Sequence, residues 1–448
     1  MSPTKESLTA RSVMRPTERK ERFASLDVLR GIAVLGILPV GIQTFAMASS
    51  TFADLPNGGV LTGTDGAMWI LLHIFFEQKF DTILAVLLGA GIALMAGRVS
   101  DHLQAADIRD TESAEKSRPL LLHQSKDVAF QLHNTRMLWL VALGLLQFFL
   151  FWHGDRLAIY ALCGLAAYYF VNWQPVALLR TGLLLIAFGA ALIFLIGTYL
   201  GRLPLEFYNQ IVAQYWFLSP EASAEQNGGL HGSWFQQIGW RARSIDILPT
   251  TLLSLVTFWR TLGLMLLGMA FLKWGILTAQ RPTSWYALMT AIGMLIGMPL
   301  ATIGILQNVS HYWDMAYTVT IGAQFDYWAS LLMAGAYVSF ILLLCRQQFL
   351  RQSKRMLAAV GRMSLSNYTI QSLVCGWIFY GHGLDLYGSL TRIDQMQIVL
   401  ALMVVQVIYS PFWLKAFHYG PLEWLWRSLT YRQTLPFIRH ITAARRRI

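Results

Sequence analysis

Charge is scarce in this chain. Of its 448 residues only 13% are Asp, Glu, Lys or Arg, against 55% hydrophobic ones, and the mean hydropathy is +0.46. That is too little charge to coat a water-soluble fold of this size, so lipid is the expected solvent for much of the surface. Cysteine is nearly absent too. Cys163 and Cys375 lie inside apolar runs and Cys345 at the end of one, which leaves no disulfide framework and no CxxC metal site. The histidines lack zinc-ligand spacing, and HExxH, GxSxG and GxxxxGK[ST] are all missing. These absences remove support for a metalloprotease, a nucleophile-elbow hydrolase or a phosphate-loop pump, and no metal is expected. The chain opens with about 25 polar residues rather than a short basic stretch and a cleavable apolar core, so the first apolar run reads as an uncleaved anchor.

What the chain does have is long apolar runs. Ten of them, approximately 28–48, 67–97, 137–152, 157–172, 176–200, 250–272, 284–306, 326–345, 364–380 and 396–415, suit helices crossing a ~30 Å hydrocarbon layer. The expected fold class is therefore all-α: a polytopic membrane helical bundle of about ten transmembrane helices. The second run, from Ala67 to Gly97, would be roughly 46 Å long as one helix and carries Glu77, Lys79 and Asp81 in its middle. It is expected to be broken or strongly tilted.

Net charge is +11, and the basic residues sit between the apolar runs. With the N-terminus inside, 28 of the 35 Lys and Arg fall on the inner side and only Arg156, Arg202, Arg241, Arg243 and Arg392 on the outer. This bias places both termini in the cytoplasm and accounts for the charge without a nucleic-acid partner. The organisation that follows is a basic tail over 1–27, a membrane half over 28–200, an outer loop over 201–249, a second membrane half over 250–436 and a basic tail over 437–448. The inner loop 99–136 mixes acids and bases and reads as a solvated connector. The outer loop carries Tyr208, Tyr215, Trp216, Trp234 and Trp240, enough aromatic surface for a cap or an interfacial segment.

Ionisable groups inside spans are costly, so each is a candidate for function. His73, Glu77 and Asp81 follow at i, i+4 and i+8, and a continuous helix would stack them on one face, a base beside acids that orient it. Lys79 falls on another face; pairing with a neighbouring helix is the structural alternative for this group. Gly89-Ala90-Gly91 reads as close helix packing. His153 and Asp155 stand at an outer turn beside Trp152, where they suit an acid, a base or, for Asp155, a helix cap. Arg260, about eleven residues into the sixth span, is expected to face the interior against an acidic partner or a bound anion.

The opening Ser25-Leu26-Asp27-Val28-Leu29-Arg30-Gly31 resembles the signature of the YeiB-like bacterial membrane proteins, and similar openings occur in the lysosomal heparan glucosaminide N-acetyltransferase and other multispan acyltransferases. Three further blocks resemble the YeiB-like pattern: Lys79-Phe80 with Leu84 to Gly91; Gly154-Asp155 with Tyr160-Ala161-Leu162 and Gly164; and Gly361 to Tyr368 with Gly420 to Arg427, which looks like the family's C-terminal domain of unknown function. Together they span about Arg22 to Pro436.

The resemblance implies residence in the bacterial cytoplasmic (inner) membrane and an acyltransferase taking an acyl group from cytoplasmic acyl-CoA or acetyl-CoA to an extracytoplasmic polar acceptor of undetermined identity. A homodimer is left open, and membrane lipids surround the chain. Where the family commonly has a third-span histidine this chain has Gln147, which hydrogen-bonds but does not titrate. The loop from Ser49 to Asp65 lacks the histidine that carries acetyl in the lysosomal enzyme. The catalytic candidates are therefore His73, Glu77, Asp81, His153 and Asp155, chosen by position, with Arg30, Lys79, Gln147 and Arg260 as substrate-binding candidates. The competing expectation is a transporter or lipid-handling protein in which Glu77, Lys79, Asp81 and Arg260 line a charged pathway.

Overall fold

The computed structural model describes residues 23–47, 63–107, 114–243 and 247–439. Both basic tails, apart from residues 23–27 and 437–439, lie outside the described residues, as does most of the loop from Ser49 to Asp65. The described chain is all-α, with no strand among those residues. We number its main helices α1 (Ala24–Ala46), α2 (Gly63–Phe75), α3 (Lys79–Asp107), α4 (Ala114–Leu150), α5 (Leu157–Ala167), α6 (Pro175–Leu200), α7 (Leu205–Ile211), α8 (Pro220–His231), α9 (Trp234–Arg243), α10 (Ile247–Lys273), α11 (Thr283–Ser310), α12 (Ala323–Arg346), α13 (Arg351–Arg362), α14 (Ser364–Phe379), α15 (Arg392–Ala416) and α16 (Pro421–Tyr431).

Among the described residues, seven helical runs are long and apolar enough to cross a membrane: Ala24–Ala46, Gly63–Gly97, Pro175–Leu200, Thr251–Lys273, Thr283–Ser310, Met315–Arg346 and Arg392–Ala416. The other three expected spans are also helical, but they fall in the distal part of α4, in the short α5 and in α14. At 16 residues α14 is about 24 Å long, and it buries Ser366, Asn367, Thr369, Gln371 and Ser372, which lowers its hydropathy. Polar side chains facing other helices suit an interior element better than a lipid-facing one.

The expected break in the second span is present. Helix α2 stops at Phe75 and α3 starts at Lys79, with Gln78 in the left-handed region at φ 60°. The break removes the continuous face on which His73, Glu77 and Asp81 would have stacked. His73 and Glu77 pair with each other, while Asp81 turns to Tyr160 and Arg156. Helix also extends into the segment 99–136, since α3 runs to Asp107 and α4 begins at Ala114.

The central core joins α1, α3, α6, α10 and α12 through Leu29, Ile83, Leu87, Ile186, Met265, Ala270 and Leu342. Close helix approach is written into two glycines. A β-carbon on Gly89 would lie 2.0 Å from the Met265 carbonyl oxygen, and one on Gly361 would lie 1.9 Å from that of Asp27. The packing role read for the Gly89 stretch therefore holds at Gly89, whereas Gly91 meets nothing within 4 Å. The outer loop folds as a helical cap of α7, α8 and α9. The Trp234 indole donates to the Leu150 carbonyl (2.9 Å), that of Trp216 to the Trp313 carbonyl (2.8 Å), and the buried Arg241 to Phe149 and Leu150 carbonyls (3.2 and 2.9 Å). We refer to this side as the cap end, and to the side bearing Arg30, Arg136, Arg362 and Arg427 as the basic end.

Candidate functional site

A cavity of about 310 Å³ runs inside the bundle between α1, α3, α4, α5, α14 and α16. Its lining on α1 extends from Arg30 to Thr44, fourteen steps of the helix or roughly 21 Å, so it reaches across most of a hydrocarbon core. Its middle is apolar, with Leu84, Leu88, Met95, Met137, Leu140 and Met265. Its two ends are polar in opposite ways.

At the basic end stand Arg30, Arg136, Arg362 and Arg427. Arg136 lies over the Trp426 ring (4.3 Å to the centroid) and Arg427 over that of Tyr419 (4.9 Å), contacts that orient a guanidinium without neutralising it. Arg136 is within electrostatic reach of both Arg30 and Arg427. Glu423, the one carboxylate lining this end among the described residues, is already committed. It accepts from the Leu365 and Ser366 amides (2.7 and 3.0 Å) and the Ser366 hydroxyl (2.5 Å), holding the start of α14. Burial pushes the Glu423 carboxyl above its ordinary range. Arg30 also pairs with Asp27 (3.4 Å), so four guanidiniums face two committed carboxylates and the basic end keeps a net positive charge, an arrangement suited to a polyanion.

At the cap end the cavity is lined by Trp152, Gly154, Arg156, Asp81, Tyr160 and Tyr368. Two tyrosine–carboxylate pairs meet there. Tyr160 donates to Asp81 Oδ1 (3.2 Å), and Tyr368 donates to Asp155 Oδ1 (2.7 Å). Asp155 Oδ1 also accepts from the Leu157 amide (3.2 Å), tying it to the start of α5, whose N-cap position is Arg156. Its Oδ2 is buried without a partner, and burial raises the carboxyl to about 6, against the opposing bonds from Tyr368 and the turn amides. A carboxylate with that affinity for protons, bonded to a phenol on the cavity wall, is poised to take a proton near neutrality.

The other sequence-level candidates take different places. Arg30 lines the basic end and Asp81 the cap end. His153 is turned toward the cap, edge-on to Trp240 at 5.8 Å, with its Nδ1 buried and unpartnered; burial and Arg241 lower its pKa to about 4, so it is neutral at pH 7. Gln147 is spent between helices, accepting from Thr369 (2.9 Å) and donating to Ser372 (3.2 Å). Lys79 is fully buried and pairs with Asp326, also donating to the His73 carbonyl (2.9 Å). None of His73, Glu77, Lys79, Gln147 or His153 lines this cavity.

Arg260 faces the interior as expected, but its nearest partners are not acidic. It donates to Gln78, to Thr82 (3.3 Å) and to Ser330 (2.6 Å) and lies over the Tyr327 ring (4.6 Å). The break before α3 explains this, because it brings the Gln78 amide rather than Glu77 to the guanidinium.

Sequence reasoning missed Tyr160, Tyr368, Arg136 and Arg427 as site residues, although all but Arg136 lie in the four blocks singled out above. The signal was available: those blocks, scattered over some 400 residues, all supply walls of this one cavity. His133 was also missed because it fell in a segment read as connector. It is fully buried on the wall, bonded to the Gly164 carbonyl (2.9 Å) and stacked on Tyr168.

Residues 271–433 match a family described as protein of unknown function (DUF418). Over 429 residues the chain is 28% identical to the uncharacterized protein YeiB of Escherichia coli (strain K12), covering 93% of this chain and 98% of that one. It is 27% identical over 447 residues to the uncharacterized protein YxaH of Bacillus subtilis (strain 168), covering 95% and 98%. An uncharacterized 39.9 kDa protein from the amylase 3' region of Bacillus acidopullulyticus is 25% identical over 431 residues, at 95% and 98% coverage. No solved structure matches.

Proposed function

The chain is a YeiB-like membrane protein carrying the DUF418 region, and on that premise we propose that it is a transmembrane acyltransferase. The observation that carries the reading is the cavity itself, which joins a cluster of four arginines to two tyrosine–carboxylate pairs through an apolar middle. In this reading the basic end faces the cytoplasm of a bacterial inner membrane, in keeping with the excess of Lys and Arg on that side. Acyl-CoA is the donor substrate. Its phosphates lie against Arg30, Arg136, Arg362 and Arg427, and its pantetheine arm and acyl group extend along the apolar wall toward Tyr368.

The acceptor approaches from the cap end. Its hydroxyl oxygen or amine nitrogen attacks the thioester carbonyl carbon; the new C–O or C–N bond forms, the C–S bond breaks, and the sulfur leaves as the CoA thiolate. The acceptor's proton passes to Asp155 through the Tyr368 hydroxyl, and Asp81 holds Tyr160 and Arg156 in place beside it. Positioning the two substrates at opposite ends of one chamber converts a bimolecular encounter across a membrane into a local one.

The test supplies acyl-labelled CoA to the inner face of vesicles containing the protein and follows the label. Appearance on an outward-facing hydroxyl or amine, dependent on Asp155, supports the reading; label that stays on CoA with every membrane and glycan acceptor offered removes it. One observation favours a transporter or lipid-handling protein instead. The half-buried pair His73–Glu77 and the buried pair Lys79–Asp326 sit within the helical runs, where such groups mark proton or ion paths. Under that alternative acetyl-CoA does not bind and His73 or Glu77 substitution abolishes transport.

A further inference from the structure

Beside the main chamber lies a second cavity of about 150 Å³, and the two share Asp81, Arg156 and Tyr160 as a common wall. The smaller one is about half polar. Gln78, Thr82, Thr257, Thr261 and Tyr327 line it together with two arginines, Arg156 and Arg260, and Asp81 is its one carboxylate among the described residues. Two guanidiniums against one carboxylate leave the walls with a net positive charge.

The manner in which Arg260 is held points the same way. Its partners Gln78, Thr82 and Ser330 are neutral oxygens and the Tyr327 ring stacks on it, while its Nε is buried without a partner. Lys79, on the same helix as Thr82, has instead a carboxylate in direct contact, that of Asp326. Neutral partners fix the plane of a guanidinium but do not cancel its charge, and a cation inside a membrane bundle is costly until something does. Arg156 lines both cavities, 3.8 Å from Asp81 and with its side chain 53% accessible. Space for about five water-sized groups between two planar guanidiniums fits a carboxylate or a phosphate and is too small for a nucleotide.

We propose that this smaller cavity binds the anionic group, phosphate or carboxylate, of the molecule that occupies the cap end of the main chamber. Resting on the acyl-transfer reading, the inference makes the acceptor an acidic compound, with its anion on Arg260 and Arg156 and its hydroxyl or amine beside Tyr160, rather than a neutral glycan. The anion comes either from a soluble metabolite or from a lipid headgroup.

The experiment is thermal unfolding of the purified full chain in phosphatidylcholine nanodiscs, titrated with inorganic phosphate and with succinate. Either anion is expected to raise the melting temperature, with apparent affinity falling by about tenfold or more in Arg260→Gln and Arg156→Gln and unchanged in Arg202→Gln, an exposed residue that lines neither cavity. Should Arg260→Gln fail to fold, the more accessible Arg156→Gln decides alone. Nanodiscs doped with phosphatidylglycerol separate the sources: a raised baseline with the phosphate response abolished assigns the site to a headgroup, and an unchanged response assigns it to a soluble anion. The proposal is overturned if neither anion shifts the wild-type melt, or if the shift survives undiminished in Arg260→Gln and Arg156→Gln. Acetyl-CoA titrated in parallel keeps the two ideas apart. Its stabilisation should persist in Arg260→Gln, so a missing acetyl-CoA response removes the donor assignment and leaves the anion site standing, and a missing anion response does the reverse.

Discussion

Two sets of charges are held inside this bundle, and they are built differently. Around the break before α3, His73 pairs with Glu77 and Lys79 with Asp326, and Lys79 also satisfies the His73 carbonyl. Each charge there has its opposite in contact. Across the main cavity, Asp155 keeps one oxygen without a partner, and at the basic end Arg136 and Arg427 lie over aromatic rings while the carboxylates nearby, Asp27 on Arg30 and Glu423 at the start of α14, are fewer than the arginines. The first set is neutralised pair by pair; the second leaves a net positive charge on the cavity wall at the basic end. An ionisable residue in a span is therefore only half of a functional argument, and the other half is whether its neighbours have already used it.

Breaking the first set should produce the largest effect, and on stability. Lys79→Ala leaves Asp326 buried and unpaired, a loss of about 3–5 kcal/mol. In thermal unfolding this variant should melt far below the wild type, while the double substitution Lys79→Met with Asp326→Leu should recover much of the difference. Equal destabilisation in the single and double variants would show that the pair is not what holds this region.

Breaking the second set should act on turnover with the fold intact. Asp155→Asn removes the proton acceptor and is expected to lower the transfer rate about 10²- to 10⁴-fold. In the wild type the rate should rise as pH increases through about 6, where Asp155 ionises, and the variant should lose that limb. The linked stability effect has a definite sign. Because the folded carboxyl holds its proton more tightly than the unfolded one, its contribution is full below the unfolded value near 4 and is lost as pH rises through about 6. The difference in melting temperature between Asp155→Asn and wild type should therefore shift in favour of the variant between pH 4 and pH 7.

At the basic end the expected change is smaller. Arg427→Gln should weaken CoA binding about tenfold, the worth of one charge-assisted contact, measured by titration calorimetry in detergent. The smallest effect belongs to Gln147. Gln147→Met strands the Thr369 hydroxyl, while that of Ser372 keeps its bond to the Tyr368 carbonyl, and should cost about 1–3 kcal/mol of stability with no change in turnover of the folded protein. A strong loss of activity in that variant would put Gln147 in the site, against its position between helices.

Much of this contrast was legible in the sequence, though unevenly. Apolar run lengths and polar interruptions gave the all-α bundle and the break between Phe75 and Lys79, because both follow from local composition. Aromatic density left a cap and an interfacial segment open for the loop 201–249, which is seen docked through Trp216, Trp234 and Arg241. What periodicity cannot supply is pairing between distant helices. Lys79 meets Asp326 across 247 residues, and Tyr368 meets Asp155 across 213, so neither the neutralised nor the open set could be sorted from one chain read in order. The stack of His73, Glu77 and Asp81 failed for a related reason: a 3.6-residue period holds only along an unbroken helix.

The central claim is that the main cavity receives an acyl-CoA whose phosphates rest on the basic end. It is tested most directly by thermal unfolding of the purified protein with acetyl-CoA, comparing wild type, Asp155→Asn and the double variant Arg136→Gln with Arg427→Gln. The account predicts a rise in melting temperature for wild type and Asp155→Asn alike, approaching the stabilisation of about 2.7 kcal/mol expected at a hundredfold excess over Kd, and loss of that rise in the double variant. No shift in the wild type with acetyl-CoA or CoA, or an equal shift in the double variant, would contradict it.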